Sequence, residues 1–343
     1  MSELLRNLAV RIRDRADPRV HVVTGLELAE DEPAVLAAAT PHVGEAEVVE
    51  PSGKIDPVPV GEPQPGRFAF FMDGMQRQRV VFYFAGVPVL YAYTAAVIRT
   101  RGSDKRMRTH SPPVVREALY YPVKLVDMRL DGIDVVDTDD GEKPIDEHPM
   151  IQLEAAAKKV STVRETLESR VVSRWLGEFD GSDQWLLVDG SLTGDYDHYA
   201  QPNIVGVIKS HQTQYFPMEE QRKILALRVG ERSGIFIPRG RRRHEVYSWY
   251  LRLHSNDGQD VHFGLVRVEA AKCERTRAMV DEISRWILAE RSPLSLPDAR
   301  WDRMIYPIRD CEQYLRSLAP SRTMLDAALL RLSSSALHSA RHT

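Results

Sequence analysis

Two apolar runs in this chain end in the same pair of residues, an aspartate followed by a glycine. Arg67-Phe68-Ala69-Phe70-Phe71-Met72 leads into Asp73-Gly74, and Leu186-Leu187-Val188 leads into Asp189-Gly190-Ser191-Leu192. Short apolar runs bounded by turn residues read as buried strands. A carboxylate at such a strand end, followed by a glycine that lets the chain turn close to a ligand, is a common way to aim an acid into a cleft. One ending of this kind is ordinary turn chemistry. Two of them constrain the fold: if the strands are neighbours, the carboxylates lie side by side, an arrangement that favours a hard divalent cation between them.

The chain has 343 residues, enough for one large domain or two modest ones. With 43% hydrophobic residues, 28% charged residues and a net charge of -3, it reads as a soluble globular protein. That balance does not advertise nucleic-acid binding, although a local basic patch is invisible to an average. No apolar run reaches the length of a membrane span, and Met1-Ser2-Glu3-Leu4-Leu5-Arg6 lacks the order of a signal peptide, so a cytoplasmic protein is expected. Two cysteines, Cys273 and Cys311, are expected to be reduced and structural.

Residues 3–15 pattern as an amphipathic helix (Leu4, Leu5, Leu8, Val10, Ile12), either packed on its own core or offered to a partner. The Pro- and Gly-rich stretch 51–65 reads as a connector, making 1–65 an N-terminal appendage. Strand-like runs at 67–73, 78–85 and 88–99 predict an antiparallel meander, with Asp73 leaving its first strand. Residues 101–149 carry a basic run, Pro112-Pro113 and Asp137-Thr138-Asp139-Asp140, and read as an insertion. A long helix is expected over 148–178, strands at 185–190 and 203–209, and a helix over 218–227. Runs 247–253 and 261–268 predict a hairpin across Ser255-Asn256-Asp257-Gly258, with helices at 275–290, 308–318 and 322–333. The expected core is 66–320, and 321–343 is a C-terminal helix and tail.

The long helix offers Glu168, with Glu165 and Arg164 close by on the helix surface; these are a third acid for the site or a solvated charged face. Lys209, at the end of an apolar strand, either snorkels out of the core or supplies a fixed positive charge for a phosphoryl oxygen. No Gly-x-Ser-x-Gly elbow and no Walker-type phosphate loop occurs, so neither a serine-elbow nucleophile nor ATP hydrolysis by this chain itself is expected.

Taken in order, Asp73-Gly74, Arg164-Glu165-Thr166-Leu167-Glu168, Leu187-Val188-Asp189-Gly190-Ser191-Leu192, Val207-Ile208-Lys209-Ser210 and Tyr306-Pro307-Ile308 resemble the NurA family of nucleases over residues 66–318. The resemblance implies an α/β fold, an RNase H-like mixed sheet flanked by helices. It also implies a deoxyribonuclease that hydrolyses phosphodiester bonds by a two-metal mechanism with Mn²⁺ or Mg²⁺. Asp73, Glu168 and Asp189 would be the metal-binding acids, Lys209 a phosphate or transition-state contact, and Tyr306 a further catalytic residue. Met75 stands where the family usually has a serine, and Tyr314 where it tends to carry a histidine, with Asp310 and Glu312 nearby as substitutes. The implied partners are DNA, a second copy of the chain in a homodimer, and a HerA-like hexameric ATPase. The implied setting is DNA end processing and repair or antiviral defence. These two departures also favour an alternative, a catalytically impaired DNA-binding or scaffolding subunit.

Arg239, Arg241, Arg242 and Arg243 form the densest basic run, a candidate contact for the phosphate backbone or a plain solubilising loop. Tyr247, Trp249 and Tyr250 are either stacking platforms or, at strand spacing, core. The eleven histidines form no spaced zinc motif.

Overall fold

The computed structural model describes residues 3–15, 17, 19–22, 42–50, 52–128, 132–141, 144–179, 181–192, 201–211, 213–239, 244–291, 305–321 and 323–330. In chain order the elements are α1 (Glu3–Arg15), β1 (Val20–Val22), β2 (His42–Val43), β3 (Ala46–Val48), β4 (Val58–Pro59), β5 (Phe68–Phe84), β6 (Val87–Arg101), β7 (Met107–Thr109), β8 (Val114–Tyr121), β9 (Val135–Asp137), α2 (Pro149–Phe179), β10 (Trp185–Asp189), β11 (Ile204–Ile208), β12 (Thr213–Gln214), α3 (Met218–Leu225), β13 (Glu231–Arg232), β14 (Phe236–Pro238), β15 (Val246–Arg252), β16 (Leu265–Ala271), α4 (Glu274–Glu290) and α5 (Tyr306–Leu318). Residues 323–330 are also helical.

One mixed sheet dominates, in the order β3-β14-β15-β16-β11-β10-β5-β6-β8-β9. Strands β8, β6, β5, β10 and β11 form its centre. There β6 runs antiparallel to both neighbours, and β10 runs parallel to both β5 and β11. Numbered along the chain, these five lie in the order 3-2-1-4-5, with α2 carrying the chain from the third strand region to the fourth. This is the α/β arrangement expected of an RNase H-like core. Beyond β11 the sheet continues through β16 and β15, which pair from Val246↔Ala271 to Arg252↔Leu265 as a hairpin, its second strand at 265–271 rather than the expected 261–268.

The apolar run after residue 67 differs from expectation. It does not break after Asp73-Gly74 but continues as a single strand of 17 residues, paired with β6 from Phe70 to Phe84 with a bulge at Val81. Gly74 sits extended opposite Ala96, and the polar residues beyond it have partners: Gln76 Nε2 donates to Ser161 Oγ at 3.4 Å, and Arg77 donates to the Pro320 carbonyl. Asp73 is therefore inside a strand rather than at its end. The stretch 101–149 also differs, because β8 within it is a central strand, with Ala118, Leu119 and Tyr120 fully buried. Pro112-Pro113 merely precedes that strand.

Alternation along the strands divides the core. Phe71, Met75, Leu187, Val205 and Val207 face one side, with Cys311 and Leu315 of α5 and Trp286 of α4. Phe70, Met72, Leu186 and Val188 face the other, against Leu167, Val171 and Trp175 of α2. Leu5, Leu8 and Ile12 of α1 are buried in the first of these cores, and β1 pairs with β5. The described part of α1 thus spends its apolar face on this protein's own core. No helix among the described residues is long and apolar enough to cross a membrane.

Candidate active site

Strand β10 stops at Asp189 while its parallel neighbour β5 runs on. The last register pair between them is Val188↔Met72, so Asp73 and Gly74 lie at the notch left where β10 ends. The remaining ends of the site come from β11 and α5. Lys209 directly follows β11, and its Nζ lies 2.8 Å from Asp189 Oδ2. Helix α5 is seated by Cys311, whose thiol lies 3.3 Å from both the Phe71 and Pro307 carbonyls. That seating carries the next residue, Glu312, into electrostatic reach of Asp73 and Lys209.

Asp73 shares its face of the sheet with Phe71 and Met75 and is only 5% exposed. Its Oδ1 accepts from the Gly74 N–H at 2.8 Å. Glu168 arrives from the opposite face, on α2. A Cβ added at Gly74 would lie 2.0 Å from Glu168 Oε1 and 2.7 Å from its Cγ and Cδ, so the absence of a side chain at 74 is what seats Glu168. Arg164, one turn earlier, donates to Glu168 Oε1 and also to Gln76 Oε1 at 3.3 Å. The glycine expected to make a turn therefore provides room for an acid. The turn itself is made at Gly190, with φ of +120°.

Charge at this rim is unbalanced. Burial, then the neighbouring Asp189 carboxylate, pushes the Asp73 carboxyl well above the usual carboxylate range, while Lys209 opposes the shift. Burial also pushes Glu168 up to about 7; Arg164 counters it and Asp189 adds to it. Burial would lower the Lys209 ammonium, but the carboxylates of Asp189, Asp73 and Glu312 overcome it and leave it raised. Groups whose environment opposes their ionisation are enriched at functional sites, and structural ion-pair networks hold them too.

Asp73, Asp189 and Lys209 are thus brought together, with Glu168 at the same notch from the other face. Tyr306 is not part of the cluster: it opens α5, is 40% exposed, and stands roughly 9 Å before Glu312 along the helix axis. Of the two acids near the expected histidine position, Asp310 is held by Arg99 at 2.7 Å, and Glu312 is the one facing the site, though Arg316 also pairs with it at 2.9 Å. Arg239 is exposed and ion-paired with Glu47 and Glu245, while Arg241, Arg242 and Arg243 lie outside the described residues. Tyr247, Trp249 and Tyr250 are buried, so they are core rather than stacking platforms. Arg164 was visible in the sequence only as a surface charge. Its insertion between Glu168 and Gln76 depends on β5 continuing past Gly74.

The donors at the notch are carboxylate oxygens, the chemistry a hard divalent cation takes. As folded, no three His, Cys, Asp or Glu side chains among the described residues are grouped so as to hold a metal ion. Instead Lys209 lies against Asp189 and Arg164 against Glu168. The donor set fits such a cation in kind, with Lys209 on one oxygen of Asp189 and Arg164 on one oxygen of Glu168.

No protein-family model matches the chain, and no curated protein matches it. Among solved structures it is similar to the crystal structure of the NurA nuclease from Sulfolobus solfataricus, at 15% sequence identity and a TM-score of 0.45, over 81% of this chain and 86% of that one. A likeness at that level assigns neither an activity nor a residue role to this chain.

Proposed function

We propose that this protein is a divalent-cation-dependent deoxyribonuclease whose site is the notch at the end of β10. The observation that carries the reading is the meeting of Asp73, Asp189, Lys209 and Glu312, from β5, β10, the end of β11 and α5, with Glu168 across the sheet, where carboxyl groups are crowded enough to oppose one another's ionisation. Asp73, Asp189 and Glu168 are the residues that would hold Mn²⁺ or Mg²⁺, with Glu312 beside them. Such ions, when bound, supply Lewis-acid activation of water and stabilise the leaving oxygen of a phosphodiester. Lys209, released from Asp189, offsets charge on a non-bridging phosphate oxygen. Arg164 holds Glu168 in place and neutralises it until a cation takes over that role. A HerA-like hexameric ATPase, homodimerisation and a role in DNA end processing or antiviral defence belong to this reading through the motif resemblance alone.

The second reading is a DNA-binding or scaffolding subunit that has lost its chemistry. What favours it is that Lys209 and Arg164 already neutralise two of the acids, and that Met75, in the position of the family's serine, is buried in the core. Digestion of end-labelled single- and double-stranded DNA with Mn²⁺ or Mg²⁺ decides between them, comparing wild type with Asp189→Ala, with and without a HerA-like ATPase. Cation-dependent cleavage that drops on the order of a thousandfold in the variant, several kcal/mol of transition-state stabilisation, supports the nuclease. No cleavage by wild type in any arm, with folding and DNA binding intact, establishes the scaffold.

A further inference from the structure

Behind the notch lies a second charged cluster, built on β16. Glu269, on β16, is fully buried, and it is the register partner of Gly206 on β11. Its Oε2 accepts from Ser191 Oγ at 2.7 Å and from the Leu192 N–H at 2.9 Å. Its Oε1 accepts from Arg267. Arg267 also donates to Ser248 Oγ at 3.3 Å, and its guanidinium stands 5.2 Å from the centre of the Tyr215 ring. Both oxygens of the carboxylate are therefore engaged, two donors on one of them coming from the segment that follows Asp189.

Gly206 makes this reach feasible. A Cβ there would lie 2.6 Å from the Gly190 carbonyl and 3.0 Å from Leu192 Cγ, so the turn after Asp189 folds down onto space a side chain would fill. The Gly190 N–H donates to the Val207 carbonyl at 2.9 Å, fixing the start of that turn to β11. Glu269 fixes its end.

A buried ion pair is weak as a source of stability, since apolar side chains of similar volume often serve as well. What this pair does that apolar residues cannot is accept two directed hydrogen bonds from the segment beyond Asp189. We propose that Glu269, held by Arg267, is a positioning residue for the Asp189 carboxylate, and that it acts through Ser191 and Leu192. This rests on the nuclease reading for its catalytic consequence but not for its geometric one.

The test compares wild type with Ser191→Ala, Glu269→Gln and Asp189→Asn. Ser191→Ala removes one bond without leaving a buried charge unpaired, and so stands in if Glu269→Gln fails to fold. Three quantities are measured: kcat and KM for cleavage of double-stranded DNA, Mn²⁺ affinity by calorimetry, and the crystal structure of Ser191→Ala. Loss of a group that orients a ligand carboxylate typically costs ten- to a hundredfold in metal affinity or activity. Ser191→Ala is expected to weaken Mn²⁺ binding and lower kcat by about tenfold, with KM for DNA within about twofold of wild type. Its crystal structure is expected to show Asp189 displaced from the position it holds in wild type. Wild-type kcat and Mn²⁺ affinity in Ser191→Ala and Glu269→Gln, beside an Asp189→Asn that loses both, would overturn the positioning role and leave the nuclease standing. If Asp189→Asn changes neither quantity, the nuclease reading is what fails. The crystal structure then decides the brace by itself: an Asp189 carboxylate unmoved in Ser191→Ala overturns it, and a displaced one upholds it.

Discussion

Two clusters of buried charge share this sheet and behave in opposite ways. Around Glu269 the Arg267 guanidinium meets the carboxylate, and both carboxylate oxygens have donors. At the end of β10, Asp73, Asp189, Glu168 and Glu312 gather around Lys209 and Arg164, so carboxylates outnumber bases, and Asp73 and Glu168 are pushed toward their protonated forms. The first cluster is a closed network that fixes backbone positions. The second crowds carboxylates whose repulsion is relieved by holding protons, as Asp73 and Glu168 do here, or by a bound cation.

The sharpest way to break this contrast is to remove one charge from the closed cluster. Arg267→Met leaves Glu269 fully buried without its cation, and loss of one partner from a buried pair costs about 3–5 kcal/mol. Denaturant unfolding should show that loss. Replacing Glu269 with leucine as well should restore part of it, because an apolar pair of similar volume is tolerated. A single variant as stable as wild type would mean that the pair is not the buried, closed unit described.

Two glycine substitutions separate the clusters at a smaller scale. Gly206→Ala sets a Cβ against a backbone carbonyl that has no flexible end to move, and overpacking of this kind costs about 1–3 kcal/mol. Gly74→Ala meets the side chain of Glu168 instead, which can swing away. Its stability cost should be the smaller of the two, while cleavage of DNA with Mn²⁺ should fall at least as far as in Gly206→Ala. Equal stability losses, with cleavage intact in Gly74→Ala, would remove Glu168 from the site.

These two glycines also mark where the sequence was readable and where it was not. Helix α2, strands β10 and β11 and the β15–β16 hairpin were legible because each carries its own period or apolar run between turn residues. The adjacency of the Asp73 and Asp189 strands was only a condition in the sequence, and the parallel pairing of β10 with β5 meets it. The continuity of β5 was not legible, since Asp73-Gly74 has the composition of a turn, and the reason for that glycine sits 94 positions away at Glu168. Strand β8 was hidden by the Pro-Pro and the charges around it, its place being set by pairing with β6. Glu269 carried no local signal at all. It lies just past the predicted run 261–268, and the strand that holds it ends at Ala271.

The smallest expected effect distinguishes the open cluster by its protons. Glu168 is raised from 4.5 to about 7 in the folded protein, so between those values the folded state binds more protons at this group than the unfolded chain does. Its contribution to stability is therefore present below about 4.5 and is lost as pH rises through about 7, at a slope of at most about 1.4 kcal/mol per pH unit. The lowered surface acids Asp56, Asp104 and Asp139 work the other way, but their effect falls below the ordinary value of 3.8 and so outside this window. Unfolding measured in a chelator from pH 4.5 to 7.5 should show wild type losing stability with pH and Glu168→Gln showing a flatter profile. The flattening is incomplete, because Asp73 also holds its proton above the usual range. Added Mn²⁺ should then stabilise wild type most at the upper end, where Glu168 is ionised and open to a cation. Identical slopes for the two proteins would mean that Glu168 ionises as an ordinary surface acid, and the contrast between the two clusters would lose its electrostatic basis.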